Sequence, residues 1–308
     1  MTASESIGHK AASGAVWAAA DRLGTMGIQF IVNLILARLL LPEDFGIIGM
    51  IAIFISVSQT LVDGGFTSAL IQKKEPTQTD YSTIFYWNTG LSVTLYAILY
   101  FCAPLIANFY RNPLLGPVVR VIGLSLIINA VSAILLTRLR KSLSFRTIAA
   151  TNIIAYVFSG IIAITLAYSG WGVWSLVVMQ LASGIFIAAI LTIITRWLPS
   201  LSFSKDSFKT LLSFGGYILA ANLLQATCQN IQGMIIGRIF SATQTGLYSQ
   251  AYKLDQVTSY SMPQIIVQVM YPVYSSIQDD KQRLISILSM NLRVISFIIF
   301  QPAPHIFS

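Results

Sequence analysis

The chain carries a faint copy of itself displaced by 200 positions. SGAVWAAADRLGTMGIQFIVNLILARLLLPEDFGIIGM, from Ser13, lies without a gap over SFGGYILAANLLQATCQNIQGMIIGRIFSATQTGLYSQ, from Ser213. Gln29 falls on Gln229, Arg38 on Arg238 and Gly46 on Gly246. Each copy is a long apolar run that ends in Arg, a short polar turn and Gly. Six apolar spans fill one period, an even number, so the second copy must enter a membrane in the same sense as the first. The expected architecture is therefore a parallel repeat of two lobes around a shared axis.

A membrane is required by composition. Hydrophobic residues make up 55% of the chain, charged residues only 10%, and mean hydropathy is +0.73. A single soluble core of this size does not hide that much apolar surface. Runs long enough to cross a bilayer fall near 14–37, 46–71, 83–107, 114–137, 148–168, 173–195, 211–236, 246–275 and 284–301. The expected fold is all-α and polytopic: a six-helix N-terminal lobe at 1–196, a cytoplasmic amphipathic linker at 197–210, and three helices of a second lobe at 211–308. A single core of apolar helices with short turns leaves no room for a soluble domain.

The net charge of +8 belongs to orientation rather than to nucleic acid, because Lys and Arg fall in the gaps between apolar runs and form no basic, aromatic-interleaved face. With the N-terminus in the cytoplasm, the inner segments hold Lys10, Lys73, Lys74, Arg138, Arg140, Lys141, Arg146, Arg196, Lys205, Lys209, Lys281 and Arg283. The outer turns hold only Arg38, Arg111 and Arg238. That bias follows the positive-inside rule. The N-terminus leads into a long span without a small-residue cleavage site and reads as an uncleaved first helix.

Catalytic inventory is poor. The two histidines, His9 and His305, sit at opposite ends of the chain, and no HExxH or Ser-His-Asp pattern is present. Cys102 and Cys228 both lie inside apolar runs and form no CxxC pair. No enzyme activity, metal or cofactor is expected.

Polar residues inside the spans are more informative. An ionised side chain at the bilayer centre costs about 2.5–3.5 kcal/mol even on insertion scales, so such residues face a bundle interior or a watery cavity. Arg22, Asp63, Lys253 and Arg293 lie deep in their runs, whereas Asp21 and Arg120 are as well explained by snorkelling to the headgroups. Arg22 and Asp63 fall at similar depth on sequential helices, and an ion pair between them is expected. In the seventh run Asn222, Gln225, Gln229 and Gln232 recur at i, i+3, i+7 and i+10, one helical face. Their counterpart in the first run is Arg22, Thr25 and Gln29. Two equivalent polar stripes are expected to line one cavity.

The ordered set LARLLLPEDFG from Leu36, DGGFTSALIQKKEPTQTDYSTIFYWN from Asp63, LTRLRKSLSFR from Leu136, GWGVWSLVVMQLAS from Gly170, IIGRIFSATQTGLYSQAYKL from Ile235 and YPVYSSIQDDKQRL from Tyr271 resembles the polysaccharide transporter family of the multidrug/oligosaccharidyl-lipid/polysaccharide exporter superfamily. The resemblance implies two six-helix lobes facing a central cavity, and flipping of a polyprenyl-pyrophosphate-linked oligosaccharide across the bacterial inner membrane for O-antigen, capsule or exopolysaccharide assembly. Cationic groups would attract pyrophosphate, and amides would hold sugar hydroxyls. Lipid-linked oligosaccharide and membrane lipids are then the expected partners, with a polysaccharide polymerase complex as a further one and no nucleic acid. Efflux of amphipathic cations, as in the related multidrug family, is the competing expectation. The chain stops within the third helix of its second lobe and its tail QPAPHIFS departs from the family pattern, so a truncated, non-transporting fragment is the third.

The charge bias makes a topology test direct. In a chain with Cys102 and Cys228 replaced, Thr243→Cys is expected to react with a membrane-impermeant maleimide in intact spheroplasts. Arg140→Cys is expected to react only after lysis; its labelling in intact spheroplasts would invert the topology.

Overall fold

The computed structural model describes residues 3–73, 75–142 and 144–255, together with Ser289 and Arg293. Ten helices follow in order: α1 (Ala3–Leu39), α2 (Pro42–Asp63), α3 (Phe66–Gln72), α4 (Gln78–Tyr110), α5 (Leu115–Ile122), α6 (Leu124–Lys141), α7 (Phe145–Tyr168), α8 (Val173–Thr195), α9 (Lys205–Ile239) and α10 (Ala242–Asp255). The described residues contain no strand. Six segments are long and apolar enough to cross a membrane, α2 with α3 and α5 with α6 each forming one of them. A seventh is the bent pair within α9, where Lys205–Ser213 and Gly215–Ile239 meet at 54°. These seven match the first seven spans expected from the sequence. The eighth is described only over α10, and the ninth lies outside the described residues apart from Ser289 and Arg293.

Local chemistry sets the breaks. Gly64 and Gly65 both take positive φ (54° and 71°), which ends α2 and restarts the chain as α3; a side chain at either position would be strained. Pro42 occupies the first turn of α2, and Asp44 accepts a hydrogen bond from the Leu41 amide at 3.1 Å. In the second copy Ser241 does this work, its hydroxyl accepting from the Gln244 amide at 3.2 Å. The same helix start is thus capped by different residues in the two copies. At α4, Thr77 and Asp80 form a reciprocal capping box.

The first six spans form one bundle. α1 packs on α7, α7 on α8, α8 on α6, and α6 on α4. Towards the Pro42 end the core contains Ile47, Met50, Ile51, Leu115, Val118, Val119 and Val177, all nearly inaccessible, and the Tyr110 hydroxyl donates to the Met50 carbonyl at 2.9 Å. Towards the Lys141 end a second core gathers Phe66, Leu70, Tyr81, Ile84, Ile134, Leu191, Trp197 and Leu211. Here Lys73 pairs with Asp80 at 2.7 Å, and Lys141 donates to the Ile71 and Lys73 carbonyls at 2.6 Å each. A lysine thereby closes the exposed carbonyl end of α3.

The linker between the copies is fastened to α4. Trp197 Nε1 donates to Gln78 Oε1 at 2.7 Å, Gln78 Nε2 to the Leu198 carbonyl at 2.9 Å, and the Ser200 and Ser204 amides to the Ser82 and Thr83 hydroxyls at 2.9 and 3.0 Å. Trp197 is buried, with Arg138 stacked 5.3 Å from its ring. Residues 197–204 run against the bundle, and Lys205–Thr210 are already the first turns of α9.

α9 and α10 join the first bundle mainly through α2, and α9 also touches α3 and α4. An added Cβ on Gly46 would overlap the Ala242 carbonyl, and one on Gly246 would overlap the Pro42 carbonyl. Each contact is the other with 200 added to one residue and subtracted from its partner, the signature of a pseudo-twofold axis through the seam. Gly49 faces its own counterpart Ser249, and Gly233 and Gly237 of α9 lie against Gly49 and Met50. Such close backbone approach is how membrane helices associate when lipid supplies no hydrophobic drive.

A cysteine pair tests the seam. A Cβ on Gly49 would lie 3.6 Å from Ser249 Cβ, inside the range of about 3.5–4.5 Å for a disulfide. Gly49→Cys with Ser249→Cys is expected to cross-link under mild oxidation, read as a mobility shift on a gel after protease cleavage between the copies. Gly46→Val is expected to abolish that cross-link, because overpacking of this kind costs about 1–3 kcal/mol.

Candidate functional site

Polar groups within the spans fall into three places. The first is the face of α1. Gly24 and Val32 pack α1 on Ile153 and Gly160 of α7, which leaves Arg22 and Gln29 exposed and Thr25 half-buried. Asp21 turns to α7, where the Asn152 amide donates to its two oxygens at 3.1 and 3.3 Å. Thr25 bonds back to the Asp21 carbonyl at 2.6 Å.

The expected Arg22–Asp63 ion pair does not form. Asp63 sits at the end of α2 beside the Gly64–Gly65 break and accepts from the Thr67 hydroxyl at 2.6 Å, with Thr137 behind it at 3.4 Å. α1 leans on α7 and makes no extensive contact with α2, so equal depth in the membrane does not bring the two side chains together. Among the described residues the one salt bridge is Lys73–Asp80.

The second place is α9 with α10. Asn222 and Gln229 are half-buried, Gln225 and Gln232 exposed. The four share one flank, beside the seam of Gly215, Ala226, Gly233 and Gly237 that α9 presents to its neighbours. Gln232 is already engaged, accepting from the Tyr248 hydroxyl of α10. Lys253 reaches across to the first copy: its ammonium lies 3.4 Å from Asn33 Oδ1 and 5.4 Å from the Phe45 ring centroid, and Gln250 accepts from Asn33 Nδ2 at 2.9 Å. Arg293 is helical and exposed. Arg120 is occupied elsewhere, over the Tyr100 ring at 4.7 Å.

The third place was not anticipated. A cavity of about 410 Å³ opens between α2, α5, α6, α8 and α9. Its polar lining is Ser56, Gln59, Asn129, Gln180 and Asn230; its apolar lining is Ile48, Ile51, Ala52, Ile55 and Ile122. Asn129 Nδ2 donates to Gln59 Oε1 at 3.2 Å, and Asn230 Nδ2 to Ser56 Oγ at 3.2 Å and to the Ala226 carbonyl at 2.8 Å. No ionised side chain lines it. Gln59, Asn129 and Gln180 are each the lone amide of their run. Helical periodicity within one run cannot detect a cluster assembled from several, though the recurrence of one mid-span amide per helix is a usable signal. Asn230 sits beside Gln229 in sequence but points off the stripe, to Ser56. Among the described residues no group of three or more His, Cys, Asp or Glu side chains comes together.

These geometries predict which side chains are energetically coupled. In double-mutant cycles on thermal unfolding in detergent, Asp21→Ala with Asn152→Ala is expected to show an interaction energy of about 1 kcal/mol. Arg22→Ala with Asp63→Asn is expected to be additive within about 0.5 kcal/mol. A larger coupling in the second cycle would restore the ion pair.

The chain is similar to several known proteins. Residues 35–307 match the family described as polysaccharide biosynthesis protein. The lipopolysaccharide biosynthesis protein WzxC of Escherichia coli K12 is 25% identical over 91% of this chain and 57% of its own length. The teichuronic acid biosynthesis protein TuaB of Bacillus subtilis 168 is 30% identical over 88% of this chain and 56% of its own. The succinoglycan biosynthesis transport protein ExoT of Rhizobium meliloti 1021 is 24% identical over 94% and 58%. The chain thus spans little more than half the length of these relatives. In fold it is similar to a multidrug resistance MATE family transporter of the MOP superfamily solved in an inward-facing conformation, with a TM-score of 0.58 and 14% identity over 92% of this chain and 68% of that one. With its helical bundle, its repeat seam and a match along nearly its whole length, the chain belongs to the polysaccharide biosynthesis protein family.

Proposed function

We propose that this chain supplies the first lobe (1–196), the linker (197–210) and the start of the second lobe (211–308) of a transporter that flips polyprenyl-pyrophosphate-linked oligosaccharide across the bacterial inner membrane, with its N-terminus in the cytoplasm. The observation that carries this reading is the pseudo-twofold seam. Two copies related by a pseudo-twofold axis along this seam, with polar flanks on α1 and α9 left exposed beside it, are the arrangement in which two halves rock about a central path. Arg22, Lys253 and Arg293 are the cationic groups available to a pyrophosphate, and Gln29, Asn222, Gln225 and Gln229 offer donors and acceptors to sugar hydroxyls. Gln232 joins them only if Tyr248 releases it. Asp63, which accepts a hydrogen bond from Thr67, is the candidate ion-coupling residue in this reading. The work is transport, with no covalent step and no cofactor. The names of the relatives, which refer to lipopolysaccharide, teichuronic acid and succinoglycan, support a polysaccharide precursor as cargo.

Efflux of cations is the second reading, suggested by the multidrug resistance transporter that the fold is similar to. It calls for unengaged buried acids. Asp21 and Asp63 are instead bonded to Asn152 and Thr67, while Arg22 stays exposed.

Expression in a flippase-null strain separates the readings. The chain is tested alone and together with a separately expressed C-terminal portion of a matched relative. Return of surface polysaccharide in either arm, reduced about tenfold or more by Arg22→Ala, is the expected result. No return in either arm with the chain present in the membrane, accompanied by raised tolerance to a lipophilic cation, would support efflux instead.

A further inference from the structure

We infer that the cavity between α2, α5, α6, α8 and α9 is a subsite for one uncharged sugar ring of the transported glycan. The inference rests on the transport reading above and adds a location and a chemical class to it.

The lining is built for a neutral, hydroxyl-rich ligand. Gln59, Asn129, Gln180 and Asn230 bring four carboxamides to one volume, and an amide both donates and accepts, as a sugar hydroxyl does. The Gln59–Asn129 bond uses one donor and one acceptor, which orients the remaining Gln59 Nε2 and Asn129 Oδ1 groups. Gln180 makes no side-chain hydrogen bond among the described residues, so its whole amide is available. Gln180 is half-buried and opens onto the cavity, where a ligand hydroxyl can take the place of water on its amide. The same cavity is also lined by Ile48, Ile51, Ala52, Ile55 and Ile122, apolar surface suited to the C–H face of a pyranose.

Size and charge restrict the occupant further. A volume of about 410 Å³ lies near the lower end of the roughly 300–1,000 Å³ typical of small-molecule sites, so it takes a single sugar rather than a whole repeat unit. No Lys, Arg or His lines the cavity. A uronate carboxylate would lose its hydration here without gaining a counter-charge, a penalty that a neutral hexose avoids. The site also straddles the two copies. Asn230 belongs to α9 of the second, and its bond to Ser56 closes the wall against the first. Movement of α9 along α2 would open that wall, so release of the sugar is coupled to rearrangement of the lobes.

The test uses the chain in nanodiscs and three short-chain polyprenyl pyrophosphates: bare, carrying one glucose, and carrying one glucuronic acid. Two variants probe the cavity, Gln180→Leu, which removes the unbonded amide, and Ala52→Phe, which fills the space; thermal unfolding checks that both are folded. In the unmodified chain glucose is expected to tighten binding at least tenfold over the bare lipid, and glucuronate is expected to tighten it less than threefold. Both variants are expected to bind the bare lipid as before and to lose the glucose gain. A glucose gain that survives in both folded variants, or that is absent in the unmodified chain while the bare lipid still binds, overturns the subsite and leaves the transport reading standing. Equal gains from glucose and glucuronate overturn the uncharged assignment. Failure of all three lipids to bind the unmodified chain overturns both readings.

Discussion

Everything in the arrangement of the two copies depends on how closely backbones approach along the seam that α2 forms with α9 and α10. Gly46 and Gly246 leave no room for even a methyl group against Ala242 and Pro42. In lipid, helices gain little from burying apolar side chains against each other, because the alternative environment is equally apolar. Contact must come from dense packing and polar bonds. The seam supplies both, with glycines along it and Asn33, Gln250 and Lys253 bridging beside it.

The opposite end is organised by charge. Asp80 is almost inaccessible, 1% exposed, yet is held by Lys73 and by the Thr77 amide. A buried carboxylate survives only with such partners. Lys141 and Arg138 extend the same patch, one closing the end of α3 and the other lying over Tyr81 and Trp197. Lysines and arginines that carry the charge bias of the sequence thus also have structural work. They fasten the re-started helix α3, the start of α4 and the linker into one platform, from which α9 departs.

Spans and the repeat were legible because each is written in contiguous sequence. The apolar runs fix the helices, and the gapless offset of 200 anticipates the pairing of Gly46 with Gly246. Depth was legible too, but azimuth was not. Arg22 and Asp63 occupy equal levels and still do not meet, since which neighbour a helix leans on is decided by side chains scattered over several spans, here Gly24 and Gly160 with Ile153 and Val32. For the same reason the stripe Asn222–Gln225–Gln229–Gln232 was found from periodicity while the cavity amides were missed. A stripe lies on one helix, and the cavity amides come one each from four. Asn230 shows the limit well: one residue from the stripe in sequence, it points to a different wall.

The way Gln78, Ser82 and Thr83 grip the backbone of residues 198–204 has a consequence for how such chains diversify. A tether fastened along its length acts as a spacer of fixed reach, so an inserted or deleted residue would rotate α9 by about 100° and carry Gly215, Gly233 and Gly237 off the face of α2. The linker is then the least tolerant of the connections to changes in length, although it looks like the most permissive in composition. Recombination between relatives would succeed where the spacing from Trp197 to Gly215 is kept, and drift in length would be confined to the turns at the far side of the bundle.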